Sequence, residues 1–286
     1  MKGRENFVML SSVASRAQTA IGEGNKFTIF WAAEHLRYLS RTFKNWPALY
    51  FDAITARQHG FRMLKLRSGV QFVTRPLSRD ISDAETIVEN WDMKQYFDRS
   101  SDLSKAGVVV DIGAHIGSFA VYAALILRAE KVFCYEPVEQ NFNLLKNNIQ
   151  LNHIKTVKSY NLGVASTPGP HKISTSGTSA QWSLYDANGE NSGSVNCTTL
   201  ENIFQENEID QCDLLKVDCE GAEYEILLGT GPDILRKIGR ICLEYHRSGE
   251  KVHERLLRYL ADCGFGYSVK ENQYAENLGL IFAVRN

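Results

Sequence analysis

From Gly107 onward the chain alternates short β-rich runs with helical stretches, and no other feature restricts its fold so tightly. The runs Val108–Ile112, Lys131–Glu136, Val157–Leu162, Leu214–Asp218, Ile241–Tyr245, Tyr267–Val269 and Leu280–Val284 read as strands. Helical patterns lie between them over Ser118–Arg128, Val138–Leu151, Glu223–Leu228 and Glu250–Cys263. Strands that alternate with helices are joined by right-handed parallel crossovers, which makes an α/β, doubly wound, mostly parallel sheet. The last two strands are expected to pair as an antiparallel hairpin. The segment from Ala165 to Asn196 breaks the rhythm: it is crowded with Ser, Thr, Gly, Pro and Asn and reads as a long functional loop.

The front of the chain is different. Phe27 to Phe43 has a helical pattern of aromatic and basic residues, a short helix follows around Pro47, and Met63 to Val73 turn at Ser68-Gly69 as a hairpin. Ser82 and Asp83 are read as caps of a helix over Ala84 to Trp91 that delivers Tyr96 and Phe97 to the edge of the sheet. Residues 1–79 hold 13 Lys and Arg against 4 Asp and Glu, whereas residues 80–286 hold 19 against 29. The basic front end suits packing on the parent fold. Homodimerisation through its helices and peripheral membrane contact stand as alternatives.

The longest apolar run, Phe119 to Leu127, is nine residues, and a bilayer span needs ~20. Lys2 and Arg4 precede a stretch broken by Ser11, Ser12, Ser15 and Arg16, so no secretory leader is read and a cytoplasmic location is expected. The six cysteines are scattered singly, with no zinc spacing, and are expected reduced and buried.

Chemistry concentrates at three strand ends. Val108-Val109-Val110-Asp111-Ile112-Gly113-Ala114-His115-Ile116-Gly117-Ser118 is a buried strand that ends in an acid and a glycine turn opening a helix. Ligands of open α/β sheets bind beyond the carboxyl ends of strands, where helix N-termini present free N–H groups. A dinucleotide loop begins with glycine, because a carboxylate repels pyrophosphate; here Asp111 stands first, which disfavours an NAD-linked oxidoreductase. A ligand with an amino group, a sulfonium and a carboxylate fits better, and S-adenosylmethionine is that ligand. The next strand ends Glu136-Pro137, 25 residues on, one crossover away, where a carboxylate suits two ribose hydroxyls. The third, Leu214-Leu215-Lys216-Val217-Asp218-Cys219-Glu220-Gly221-Ala222-Glu223, runs into clustered acids that face cations or act as bases.

Together these segments resemble the FkbM family of S-adenosylmethionine-dependent methyltransferases, with its D-x-G-A-x-x-G, E-P and K-x-D-x-E-G-x-E blocks. The resemblance spans residues 80–286; His115 stands where the family often has Asn, and the N-terminal extension lies outside it. It implies a Rossmann-like class I methyltransferase domain of seven strands that methylates hydroxyls of sugars, glycolipids, polyketides or other natural products.

The residues imply how such a site works. Asp111 and the backbone of Gly113, Ala114, His115 and Gly117 would hold the methionine portion, Glu136 with Pro137 the ribose, and Gly163 or Val164 the adenine. SN2 transfer needs an in-line acceptor and a base within reach of its hydroxyl, and Asp218, Glu220 and His246 are the candidates. Gln181, Trp182 and Tyr185 in the long loop are read as the acceptor wall. A divalent metal on Asp218, Glu220 and Glu244 is an alternative, and metal-independent base catalysis is preferred. A small-molecule or glycan acceptor is expected. A noncatalytic cofactor-binding subunit and small-molecule N-methylation remain as competing readings. The acidic main body and the lack of an aromatic and basic module disfavour nucleic acid.

Overall fold

The computed structural model describes residues 37–49, 60–76, 80–96, 105–174, 192–246, 250–272 and 278–286. Twelve strands are described in chain order: β1 Arg62–Lys65, β2 Gln71–Thr74, β3 Val108–Ile112, β4 Lys131–Tyr135, β5 Val157–Tyr160, β6 Gly163–Val164, β7 Gly169–Ser174, β8 Ser192–Thr198, β9 Leu214–Val217, β10 Arg240–His246, β11 Phe265–Glu271 and β12 Leu278–Arg285. The helices are α1 Ser82–Val88, α2 Ser118–Leu125, α3 Glu139–Leu151, α4 Leu200–Glu206, α5 Glu223–Gly229, α6 Pro232–Leu235 and α7 Glu250–Asp262. A π-helical turn, Glu89–Met93, continues α1.

The main sheet has seven strands in the order β11-β12-β10-β9-β3-β4-β5. Its pairs from β5 to β10 are parallel, and β12 runs antiparallel to both β10 and β11. This is the doubly wound, mostly parallel arrangement that the alternation dictated. The chain leaves β3 for β4 on one side and later places β9 on the other, so a crevice opens between the two connections at their carboxyl ends.

Both faces of the sheet are covered, as strands without polar alternation require. Val110, Ile112, Phe133, Tyr135, Leu215 and Val217 point to one core, shared with α4, α5 and α7. Val109, Val132, Cys134 and Leu214 point to the other, beneath Phe119, Ala120 and Ala123 of α2. The register puts Asp111 opposite Lys216 on that second face, with Cys134 and Cys242 as their outer neighbours in the same row. Two charged residues therefore enter an otherwise apolar layer side by side.

The β1–β2 hairpin packs on α3 and not as a free appendage. Asn148 and Asn152, one helical turn apart, bond the backbone of the hairpin: Asn148 Oδ1 accepts from Val73 N at 2.6 Å, and Asn152 pairs with Gln71 N and O at 3.1 and 2.7 Å. Phe43, Leu49, Leu64 and Phe72 share a core with Ile87, Val121 and Leu144. Residues 37–42 and 46–49 are helical, and most of the aromatic stretch from Phe27 lies outside the described residues.

Several boundaries differ from the sequence reading for local reasons. Ser82 and Asp83 do not cap α1. The N-cap is Ile81, which makes no side-chain cap bond; Asp80, just before it, accepts from Ser82 N at 3.1 Å and from Ser82 Oγ at 2.6 Å through Oδ1, while Asp83 is buried inside the fold. The stretch expected as one loop carries β7 and β8, joined to β6 in a three-stranded sheet of order β6-β8-β7. Strands as poor in apolar residues as Gly-Pro-His-Lys-Ile-Ser and Ser-Gly-Ser-Val-Asn-Cys-Thr leave no hydrophobic alternation to read. Val157–Tyr160 ends two residues earlier than expected, so Gly163 and Val164 belong to this small sheet and not to the third strand of the main one. Residues 175–191 lie outside the described residues, and with them Gln181, Trp182 and Tyr185.

Candidate functional site

At the carboxyl ends of β3, β4 and β9 lies a cavity open to solvent, with about 980 Å³ of empty space when its open mouth is included. Its walls are Gly113, Ala114 and His115 after β3; Glu136, Pro137 and Val138 after β4; Asp218, Cys219 and Glu220 after β9; Gly163 and Val164 of β6; and Glu85, Thr86, Glu89 and Asn90 from α1 and its π-helical extension. Tyr96, Phe119, Asn141, Lys216 and Glu244 complete it.

The floor is set by how closely two loops approach. Gly113 has φ +75°, and a Cβ there would stand 1.7 Å from the carbonyl oxygen of Asp218. Only glycine permits the β3 turn and the β9 loop to touch in this way. Gly117, at φ +84°, starts α2 and faces Leu145 of α3, away from the cavity. It allows helix packing; it does not line the site.

Asp111 also lies outside the cavity wall. It is fully buried, with Oδ1 3.1 Å from Lys216 Nζ. Lys216 Nζ is 3.5 Å from Asp218 Oδ2, donates to Gly113 O at 3.0 Å, and sits over the rings of Tyr96 and Phe119. Burial works against the charge of Lys216, but Asp111 and Asp218 outweigh it and its pKa is raised. Burial likewise pushes Asp111 up, opposed by Lys216. The first acid of the glycine motif thus acts through a lysine that ties the β3 turn to Asp218. That lysine, quoted within the third motif, carried no role in the sequence reading.

Glu136 does line the cavity. Its Oε2 accepts from His115 N at 2.8 Å, and its Oε1 from Val138 N at 3.0 Å and Asn141 Nδ2 at 3.2 Å. Burial dominates these stabilising bonds and pushes the carboxyl up to about 7. His115, at φ 50°, is buried beside Asp83, Arg75 and Thr86, and burial lowers its pKa despite Asp83. Arg75, just past the hairpin, holds Asp83 through both carboxylate oxygens, at 3.0 and 3.1 Å, and donates to Asn141 at 2.7 Å. This network joins the hairpin, α1 and α3 behind the glycine turn. Its members are far apart in sequence and follow no motif, which is why periodicity did not find them.

The three proposed bases separate. Asp218 is at the cavity edge and accepts from Tyr96 Oη at 2.6 Å through Oδ2. Glu220, at φ 55°, lies 3.0 Å from Nε2 of His246. His246 Nδ1 is 3.2 Å from Glu223, whose carboxylate also accepts from the backbone N–H groups of Cys219 and Gly221. Burial alone would lower the pKa of His246, but Glu220 and Glu223 hold it well above the usual imidazole value. Both of its nitrogens are engaged by carboxylates, and it braces the loop after β9. Glu244 is buried beside Asp218, and burial first and Asp218 second push its carboxyl well above the usual value. Tyr96 reaches it at 3.4 Å. Among the described residues, no group of three or more His, Cys, Asp or Glu is arranged to hold a metal ion.

Residues 111–267, from the glycine turn to β11, match the family model described as the Methyltransferase FkbM domain. The chain belongs to the FkbM methyltransferase family. Methyltransferase sdnD of Sordaria araneosa is 24% identical to this FkbM chain over 200 residues, 58% of this chain and 76% of that protein. Hexuronic acid methyltransferase AglP of Haloferax volcanii is 26% identical over 144 residues, 49% of this chain and 56% of that protein. The crystal structure of Methyltransferase FkbM from Methylobacillus flagellatus KT superposes with a TM-score of 0.47 at 15% identity, covering 71% of this chain and 54% of that one. Within this FkbM chain the match begins at Asp111, so α1 and its π-helical turn, which build one wall of the cavity, lie in front of the matched region.

No helix among the described residues is long and apolar enough to cross a membrane. Cys134, Cys197, Cys212, Cys242 and Cys263 are buried free thiols and Cys219 is partly buried, as their scattered spacing predicts.

Proposed function

We propose that the chain is an S-adenosylmethionine-dependent O-methyltransferase acting on a hydroxyl of a sugar, glycolipid or polyketide-type acceptor. The observation that carries this is the juxtaposition, in one cavity, of the Gly113 turn, the Glu136 carboxylate and the Asp218 edge. The chemistry of the walls fits the donor. They offer hydrogen-bond acceptors and carboxyl groups, while Lys216 is already committed to Asp111, Asp218 and Gly113 O. A ligand carrying a sulfonium, an ammonium and two ribose hydroxyls supplies the missing positive charge and donors.

The donor, when bound, provides an electrophilic methyl on sulfur. Glu136 would accept from the ribose hydroxyls; Gly163 and Val164 would border the base; Gly113 to His115, at the start of α2, would lie along the methionine portion. Asp218 is the best-placed base. Tyr96 engages Oδ2, which leaves Oδ1 to take the proton of an acceptor hydroxyl as the methyl arrives. Burial and the neighbouring Asp218 push the Glu244 carboxyl toward its uncharged form. Glu220 and His246 hold the loop that carries Asp218 in register.

Calorimetry with S-adenosylhomocysteine, followed by methyl transfer to a panel of glycosides and polyketide alcohols, tests the reading. Binding to the parent, at least ~10-fold weaker binding to Glu136→Ala, and transfer lost in Asp218→Asn with binding kept are the expected results. No heat with the parent, or an Asp218→Asn variant as active as the parent, would overturn it.

A further inference from the structure

The π-helical turn after α1 has a feature that the proposed donor site does not yet use. An α-helix that takes one π turn shifts the facing of every side chain beyond it, and such turns gather at functional sites. Here Glu89 and Asn90 are both buried and both line the cavity. Trp91 locks the turn from behind: its Nε1 donates to Ser118 O at 3.3 Å, and its ring meets Phe72 and Tyr122 edge-on at 6.0 and 5.2 Å. Lys94 then ends the turn in the left-handed region at φ 52°.

Asn90 is 1% exposed, and its two amide atoms are treated differently. Nδ2 donates to Thr86 O at 2.7 Å, which fixes the orientation of the amide. Oδ1 is buried and has no hydrogen-bond partner among the described residues. A buried acceptor without a donor is costly unless something supplies one. The turn lies across the start of α2, because Ser118 Oγ also donates to Thr86 O at 3.2 Å, and so Asn90 sits at the end of the cavity where the glycine turn opens the helix. Glu136, just after β4, and Gly163 of β6 line the same cavity.

We propose that the π-helical turn seats the α-ammonium group of the methyl donor, with Asn90 Oδ1 accepting one of its protons and Glu89 as the neighbouring carboxyl group. This rests on the donor assignment above and names a residue for a part of it that the glycine motif leaves open. An ammonium has three protons to place and a positive charge to balance; a fixed amide oxygen next to an acid suits it, whereas a ligand carboxylate there would be repelled.

The test varies the ligand and the protein together. S-adenosylhomocysteine, its deaminated analogue with hydrogen in place of the α-amino group, and 5′-methylthioadenosine are titrated by calorimetry into the parent, Asn90→Ala and Asn90→Ser. The parent is expected to bind the deaminated analogue roughly 10-fold more weakly than S-adenosylhomocysteine, and Asn90→Ala to lose a similar factor on S-adenosylhomocysteine alone. Binding of the deaminated analogue and of 5′-methylthioadenosine should stay within about 2-fold of the parent, which also reports that the variant is folded. Asn90→Ser, able to keep the bond to Thr86 O, should show the same selective loss. Equal losses on all three ligands, in both variants, would make Asn90 a structural residue and overturn the seat; so would unchanged binding of S-adenosylhomocysteine. A parent that binds 5′-methylthioadenosine but gains nothing from the amino acid portion sinks the seat alone. A parent that binds none of the ligands sinks the donor assignment with it.

Discussion

Asp111 and Lys216 illustrate how one register decides the character of a site. Opposite each other on β3 and β9, they form a buried pair in an apolar layer, and the lysine also reaches Asp218 and Gly113. Removing one partner leaves an uncompensated buried charge. Lys216→Met should cost about 3–5 kcal/mol of stability, and Asp111→Leu combined with Lys216→Met should recover much of that loss while donor binding stays weak, as urea denaturation and calorimetry would show. Equal midpoints for the parent and Lys216→Met would contradict this. Gly113→Ala adds a methyl group 1.7 Å from a carbonyl oxygen at a positive φ. A loss of at least about 2 kcal/mol is expected, with donor binding lost in whatever fraction stays folded. A urea midpoint within error of the parent would remove the close approach from the explanation.

At the scale of elements, the hairpin depends on two side chains of a helix that is distant in sequence. Asn148 bonds Val73 N and O, and also Ile116 O at 2.9 Å. Asn148→Leu should therefore cost about 1–3 kcal/mol and raise amide exchange first in β1, β2 and the Arg75 segment. Uniform exchange changes across the seven-stranded sheet would argue against a local effect. These elements also mark what the sequence could express. The seven strands were legible because buried parallel strands are continuous apolar runs, and Asp111, Glu136 and Asp218 were legible because each follows such a run. β7 and β8 were not, since their polar strands are held by backbone pairing instead of a hydrophobic face. The π-helical turn was not legible either: Glu89 to Met93 continue an ordinary helical pattern, and only the packing of Trp91 against Phe72, Tyr122 and Ser118 O fixes the extra residue. His246 was legible as a residue at a strand end, but that position said nothing of the two carboxylates on either side.

Taken over the whole molecule, buried carboxyl groups and an imidazolium give the folded chain an unusual response to acid. Glu136 titrates near 7 against an ordinary value of 4.5, and Glu220 and Glu244 are also raised. His246 is raised too, while His115 is lowered and works in the opposite sense. Groups whose folded pKa is raised hold protons that the unfolded chain releases, so the stability they contribute is present at low pH and is lost as pH climbs through the folded values. The urea midpoint is expected to fall between about pH 5.5 and pH 8, and to fall less with S-adenosylhomocysteine present, because ribose hydroxyls would compensate the Glu136 carboxylate. A midpoint that rises over this range would refute the assignment of these groups.

The contact between Gly113 and the Asp218 carbonyl leaves no clearance for a side chain, and Lys216, Glu223 and His246 brace it from three further directions. Two of the crevice's walls are in effect welded together. Any widening or reshaping of the mouth to admit a bulkier alcohol must then come from elsewhere on the rim, the small β6-β8-β7 sheet whose Ile173 lines the cavity, where laboratory diversification for new acceptors is best directed.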